Sequence, residues 1–357
     1  RINSAHATME GAQKIVDSVR EVSERIAILL DTKGPEVRLT AMESSVGFIV
    51  KEGDEICIGN SPQSACRPGM LQTNCGTFVD DVPTGAEILI DDGSIALKVV
   101  EKDDDSLKCV VMNSGVIKGK KSVNVPGVHI SLPALTEKDK IFLDWAIDAD
   151  IDFIAHSFVR NKEDLMEVQE ILDSRKSHLK IISKIENQQG IDNLDEILSH
   201  CYGVMIARGD LGVEIPAEKI PMIQKHIVQK CRARKKPVIV ATQMLHTMIK
   251  NPRPTRAEVT DVANAIYYRT DALMLSGETA SGKYPLEAVK TMVTIAEQAE
   301  KDKNPENDID IPLCDFDDVT GFLSKNAIEA TEHLGVKCII TDTVSVFVHP
   351  FRYVNRG

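Results

Sequence analysis

The chain predicts an α/β fold: a parallel sheet with helices around it and a small antiparallel β unit inserted. Three observations carry that reading. From about residue 150 onward, short apolar runs rich in Ile and Val alternate with longer amphipathic stretches. Residues from about 40 to 128 break this rhythm with a period of two. Almost every apolar run ends, on its C-terminal side, in a cluster of polar residues.

The first apolar run is Arg25–Leu30. In the stretch that follows, Ile95, Leu97 and Val99 alternate with polar or small neighbours, as do Leu107, Cys109 and Val111. Turn signals at Asp91-Asp92-Gly93 and Asp103–Ser106 separate such strands, so this part reads as an antiparallel β domain. Asp152–Val159, Lys180–Ile185, Tyr202–Ala207, Pro237–Ala241 and Ala272–Leu275 then read as strands buried on both faces. The helical patterns Glu163–Ser174, Ala217–Ala233 and Leu286–Ala299 lie between and after them, which makes parallel βαβ units. Past Lys303 a charged linker, Asn304–Asp310, leads to a helical pattern over Val319–His333 and a strand-like one over Cys338–Thr343. The expected domains are therefore 1–39 with 129–303, an inserted unit at 40–128, and the start of a further α/β domain at 304–357.

Composition narrows the function. With 54 acidic and 42 basic residues the formal net charge is −12, and no basic run is present, which disfavours nucleic acid and anionic membrane surfaces. Aromatic residues make up only 4%, too few for base-stacking platforms. The eight cysteines form no CxxC pair and read as free thiols of a reducing, cytoplasmic compartment. No apolar run approaches the ~20 residues of a membrane span.

The polar clusters are Asp31-Thr32-Lys33, Ser157, Lys184 with Glu186, Arg208 with Asp210, Thr242-Gln243, and Ser276 with Glu278. In a (β/α)8 barrel such strand ends converge on one face, and that face carries the chemistry. Within Ser183-Lys184-Ile185-Glu186, strand alternation puts Lys184 and Glu186 on one side, where an ammonium can face an anion and a carboxylate can take a metal. Asp210, after Gly209, could share a divalent ion with Glu186; oxygen donors of this kind suit Mg2+. Arg1 and Asn3 repeat the spacing of two, whereas His6, His156 and His246 have no metal-ligand spacing and read as packing or surface groups.

Several segments together resemble the pyruvate kinase family. They are Asp31-Thr-Lys-Gly-Pro-Glu-Val-Arg38, Lys180-Ile-Ile-Ser-Lys-Ile-Glu-Asn187, Ala207-Arg-Gly-Asp-Leu-Gly212, Ala241-Thr-Gln-Met244, Pro252-Arg-Pro-Thr-Arg-Ala-Glu258 and Leu275-Ser-Gly-Glu-Thr-Ala280. The match runs in order from Arg1 to about Leu286. The resemblance implies a (β/α)8 TIM barrel with an inserted small β-barrel lid and a C-terminal α/β domain, usually in a homotetramer. It implies phosphoryl transfer from phosphoenolpyruvate to ADP, giving pyruvate and ATP, with Mg2+ (or Mn2+) and K+. Carried over by position, Lys184 matches the lysine that touches the phosphoryl group, Arg1 a phosphate-binding arginine and Thr242 the substrate-contacting threonine. Gly209 and Asp210 match the substrate-carboxylate site, and Glu186 and Asp210 the Mg2+ ligands. Asn3, Asp31 and Thr32 match K+ ligands; Arg38 and Lys121, with Asn3, match nucleotide contacts. Glu36 resembles the family members that need K+. A Mg2+-dependent barrel aldolase or lyase, or an inactive homologue, are the alternatives; the lid residues Arg38 and Lys121 favour the kinase.

Two departures qualify the resemblance. Ala5 stands where the family has a cation-ligating serine, and Tyr268-Arg269-Thr270-Asp271 replaces the usual Asp-Gly-Ala-Asp. The family's first barrel strand and helix and most of its second strand are expected before Arg1, and Val344–Gly357 does not resemble the family's end. The chain reads as a fragment.

Overall fold

The computed structural model describes residues 1–44 and 46–302, with the single residues 319, 323 and 326. The expected linker, helix and strand of 304–357 lie outside the described residues apart from these. The chain opens with β1 (Ile2–Asn3), α1 (Met9–Val22) and β2 (Leu29–Asp31). A second unit follows: β3 (Phe48–Val50), β4 (Glu55–Gly59), β5 (Met70–Gln72), the short helix α2 (Phe78–Asp81), β6 (Glu87–Ile90), β7 (Ile95–Lys102), β8 (Ser106–Val111), β9 (Gly115–Ile117) and β10 (Val123–Asn124). The α/β alternation then resumes with α3 (Glu137–Asp148), β11 (Phe153–His156), α4 (Lys162–Ser174) and β12 (Lys180–Ile185). It continues with α5 (Gln188–Asp192), α6 (Leu194–His200), β13 (Gly203–Ala207), α7 (Arg208–Glu214) and α8 (Ile220–Ala233). It ends with β14 (Val238–Ala241), α9 (Arg256–Tyr267), β15 (Ala272–Met274), α10 (Gly277–Ala280) and α11 (Pro285–Lys301).

Seven strands pair in parallel in the order β1-β2-β11-β12-β13-β14-β15. Their two faces differ. Outward side chains such as Ile154, Ile181, Ile185, Val204 and Val240 pack under the helices in the main core. Inward ones, Ala155, Ile182, Met205 and Ala241, form a smaller core inside the curled sheet. Burial on both faces is why these strands read as continuous apolar runs rather than as alternations. The inserted unit has its own core, with Leu97, Val99, Leu107, Cys109 and Val111 all buried on one face, as the period of two predicts. Asp91 and Asp92, at φ 55° and 54°, make the β6–β7 turn with Gly93.

One strand is shorter than expected. Arg25–Leu30 was to form a strand, but pairing covers only Leu29–Asp31. The Arg20 guanidinium takes the Ile26 carbonyl at 2.8 Å, and the Asp152 carboxylate takes the Ile28 amide at 2.7 Å, so these groups are not free for a ladder.

Four helices end alike. After α3, α4, α8 and α9 the residues Asp150, Lys176, Lys235 and Arg269 adopt φ of 50°, 50°, 55° and 61°. Each donates its amide three residues back, and the next amide reaches five back, for example Lys176 to Asp173 and Ser177 to Leu172. This is the left-handed stop that usually takes glycine.

Candidate active site

Lys184 is the centre of the site. On β12 it faces inward with Glu186, as alternation predicts, and only 8% of it is exposed. Its Nζ lies 2.9 Å from an Asp31 carboxylate oxygen, 2.9 Å from Glu186 Oε1 and 2.7 Å from the Ser157 hydroxyl. These partners come from three neighbouring strand ends, β2, β11 and β12. Arg1 takes the other Asp31 oxygen at 2.6 Å and also reaches the Ser276 hydroxyl at 3.4 Å.

Charge is unevenly shared. Burial opposes the Lys184 charge, but Glu186 and Asp31 outweigh it and hold the ammonium pKa above the ordinary lysine value. Burial pushes Glu186 up to about 7, against the pull of Lys184. Asp210 is exposed at the rim, yet desolvation by the protein around its carboxyl raises its pKa too, although Lys184 and Glu186 act to lower it. Three carboxylates thus face two cations, and the excess negative charge falls on Glu186 and Asp210.

The backbone around this cluster is strained where it bears on function. Phe158, at φ 55°, donates its amide to Glu186 Oε2 at 2.7 Å. Thr242 and Gln243, at φ 68° and 55°, turn the chain sharply after β14, and the Thr242 hydroxyl accepts the Gly209 amide at 2.7 Å. Consecutive left-handed residues without glycine are costly and persist only when surroundings hold them. Gly34, at φ 68°, is required because a side chain there would strike Ser157 and Phe158.

The remaining expected residues divide into two groups. Asn3 and Thr32 lie beside Asp31, where the Asn3 side-chain oxygen accepts the Ala5 amide and the Thr32 hydroxyl accepts the Ser157 amide. Arg38 and Lys121 belong to the inserted unit and its entry. Arg38 pairs with Glu36 at 2.8 Å and holds the Lys120 carbonyl, and Lys121 pairs with Asp91 at 2.8 Å. Neither touches the Lys184 cluster, although the charges of Glu36 and Asp92 act on Asp210. Ser4 is fully buried, and its amide donates to the Asp31 carbonyl at 2.9 Å. Sequence reasoning missed the Phe158 amide, and it named Arg208 without its contact, a grip on the Thr242 carbonyl at 2.8 Å.

A curled parallel sheet with a buried lysine and carboxylates at its strand ends defines an α/β-barrel enzyme. The family model described as "Pyruvate kinase, barrel domain" matches residues 1–289. The chain is 51% identical over 345 residues to the pyruvate kinase of Borreliella burgdorferi, covering 96% of this chain and 72% of that protein. It is 46% identical over 353 residues to that of Geobacillus stearothermophilus, covering 97% of this chain and 60% of that protein. A solved pyruvate kinase from Cryptosporidium parvum superposes with a TM-score of 0.87 at 36% identity, covering 94% of this chain and 71% of that one. The chain belongs to the pyruvate kinase family, and its class is that of a phosphotransferase.

Proposed function

We propose that this chain carries the catalytic site of a cytoplasmic pyruvate kinase, moving a phosphoryl group from phosphoenolpyruvate to ADP to give pyruvate and ATP. The observation that carries the reading is the Lys184 ammonium held by Asp31, Glu186 and Ser157 at the strand ends. Residues 1–39 and 129–303 form the catalytic domain, 40–128 the lid, and a homotetramer is the assembly of the whole protein.

Phosphoryl transfer needs positioning and charge stabilisation rather than covalent help from the protein. Lys184 compensates charge on the transferred group and on the enolate oxygen left behind. Arg1, on the same rim, binds phosphate. The Gly209 and Asp210 segment orients the substrate carboxylate, and Thr242 directs its hydroxyl towards the enolate carbon, relaying a proton through water. Arg38 and Lys121 exchange their present carboxylate partners for nucleotide phosphates when the lid closes.

The donor set fits a divalent ion: Glu186 and Asp210 are adjacent carboxylates, both with raised pKa, carrying the excess negative charge. Mg2+ (or Mn2+) would be held by these two carboxylates and would take its remaining ligands from water and substrate oxygens. When bound, that ion supplies electrophilic stabilisation of the phosphoryl and enolate oxygens. Asn3, Asp31 and Thr32 offer oxygens to K+, with Ala5 providing none from its side chain. Pyruvate release from phosphoenolpyruvate, dependent on ADP, Mg2+ and K+ and lost in Lys184→Met, tests the reading; ADP-independent release would point to a lyase. Equal rates in potassium and tetramethylammonium buffers would remove K+ from it.

A further inference from the structure

Arg208 has a place in the site that its sequence neighbours Gly209 and Asp210 overshadow. It stands where β13 passes into α7, and its side chain is 11% exposed. The guanidinium does not turn towards the Lys184 cluster. One terminal nitrogen donates to the Thr242 carbonyl at 2.8 Å and lies 2.9 Å from the Met244 sulfur. The other donates to Asp261 on α9 at 2.8 Å and to Gln224 on α8 at 3.4 Å.

These contacts close a ring. Arg208 holds the Thr242 carbonyl, and the next residue, Gly209, gives its amide to the Thr242 hydroxyl at 2.7 Å. Thr242 therefore touches the ARGD segment through both its backbone and its side chain. It does so in a left-handed conformation, followed by a second one at Gln243. For a β-branched residue this is an outlier that relaxes unless it is held. A planar fork bonded to a carboxylate on a separate helix is a rigid clamp of that kind, and a lysine could not reproduce it.

We infer that Arg208, anchored by Asp261, is a positioning residue that keeps the Thr242 hydroxyl and the Gly209 amide in register across the β13–β14 gap. The inference rests on the proposed roles of Thr242 and Gly209 for its catalytic consequence, though not for its geometry. Arg208 and Asp261 touch no reacting atom, so their effect passes entirely through Thr242.

The test combines a double-mutant cycle with hydrogen exchange. Arg208→Lys is expected to lower kcat on the order of 10²-fold, the cost of a small misplacement at a reacting centre, with KM for phosphoenolpyruvate moving much less. In a Thr242→Ala background the same change should cost no more than about twofold, because the interaction it serves is gone. Exchange at the Gly209 amide, read by fragmentation mass spectrometry, should quicken while β12 amides stay protected. Asp261→Asn, which leaves the arginine in place, should show the same pattern at about a tenth of the kinetic effect, and it carries the test if Arg208→Lys does not fold. Additive losses in the cycle, or unchanged Gly209 exchange in both variants, would overturn the inference. If the unaltered protein releases no pyruvate, the proposed reaction fails, and the Gly209 exchange alone decides for or against the clamp.

Discussion

Lys184→Met isolates the electrostatic design of the site, because methionine keeps the length and flexibility of the stem while removing the charge. In the unaltered protein Arg1 and Lys184 face Asp31, Glu186 and Asp210, leaving one negative charge in excess. The substitution leaves two. Removing one partner of a buried ion pair costs roughly 3–5 kcal/mol when the other stays charged. Glu186 has an escape, since its pKa already stands at about 7 and rises further without the ammonium.

The sign follows from linkage. A carboxyl whose folded pKa lies above its unfolded value binds more protons when folded. The stability it contributes is complete below its unfolded pKa and is lost as pH rises through the folded one. Each further unit of upward shift costs the variant roughly 1.4 kcal/mol at high pH. Urea melts of both proteins at pH 5, 7 and 9, with chelator present so that no divalent ion replaces the proton, should show a deficit that is small at pH 5 and several kcal/mol at pH 9. Turnover should fall on the order of 10³-fold. A deficit that is constant, or larger at pH 5, would refute the charge count.

Two further predictions concern the helix stops and a buried histidine next to Ser157. Replacing Asp150, Lys176, Lys235 and Arg269 with glycine removes a left-handed penalty at each helix stop, less the entropy glycine adds to the unfolded chain. About 0.5–1 kcal/mol is expected per site, and about 2–4 kcal/mol for all four in urea melts, since they lie on separate helices; no gain at the exposed Lys176 would show that the strain is not there. His156 is fully buried with neither ring nitrogen partnered among the described residues, and burial lowers its pKa to about 4. The unfolded state therefore binds more protons between about pH 6.5 and 4, and the histidine destabilises the fold as pH falls through that window by roughly 3 kcal/mol. His156→Leu should gain that amount on the unaltered protein between pH 7 and 4, and parallel stability curves would refute it.

The sequence was most legible where one residue's neighbours decide its direction. Alternation along β12 placed Lys184 and Glu186 together, because the pleat leaves no other choice. It could not say what Lys184 would meet, since Asp31 lies 153 residues earlier and arrives through strand order. The contacts of Arg208 were unreadable for the same reason: its partners Thr242 and Asp261 lie on other elements, 34 and 53 residues on. The amphipathic stretches named from the sequence also omitted α1, α3 and α9. Gly209-Asp210, which reads equally as a turn, falls within the first turn of α7.

Strain and unpaired charge gather on one rim of the sheet. Below the site, the inward side chains Ala155, Ile182, Met205 and Ala241 and the outward aliphatic layer are satisfied by packing alone. At the strand ends above them lie the left-handed Phe158, Thr242 and Gln243, the buried Lys184 and the charge excess on Glu186 and Asp210. Each of these breaks a local preference, and through them the Phe158 amide reaches Glu186 and the Thr242 hydroxyl meets the Gly209 amide. The packed layers beneath, together with clamps such as Arg208, hold that rim in a conformation its own local sequence disfavours. A sequence reading built on local preference therefore succeeds in the packed layers, and on the rim it names the residues without their conformations or their partners.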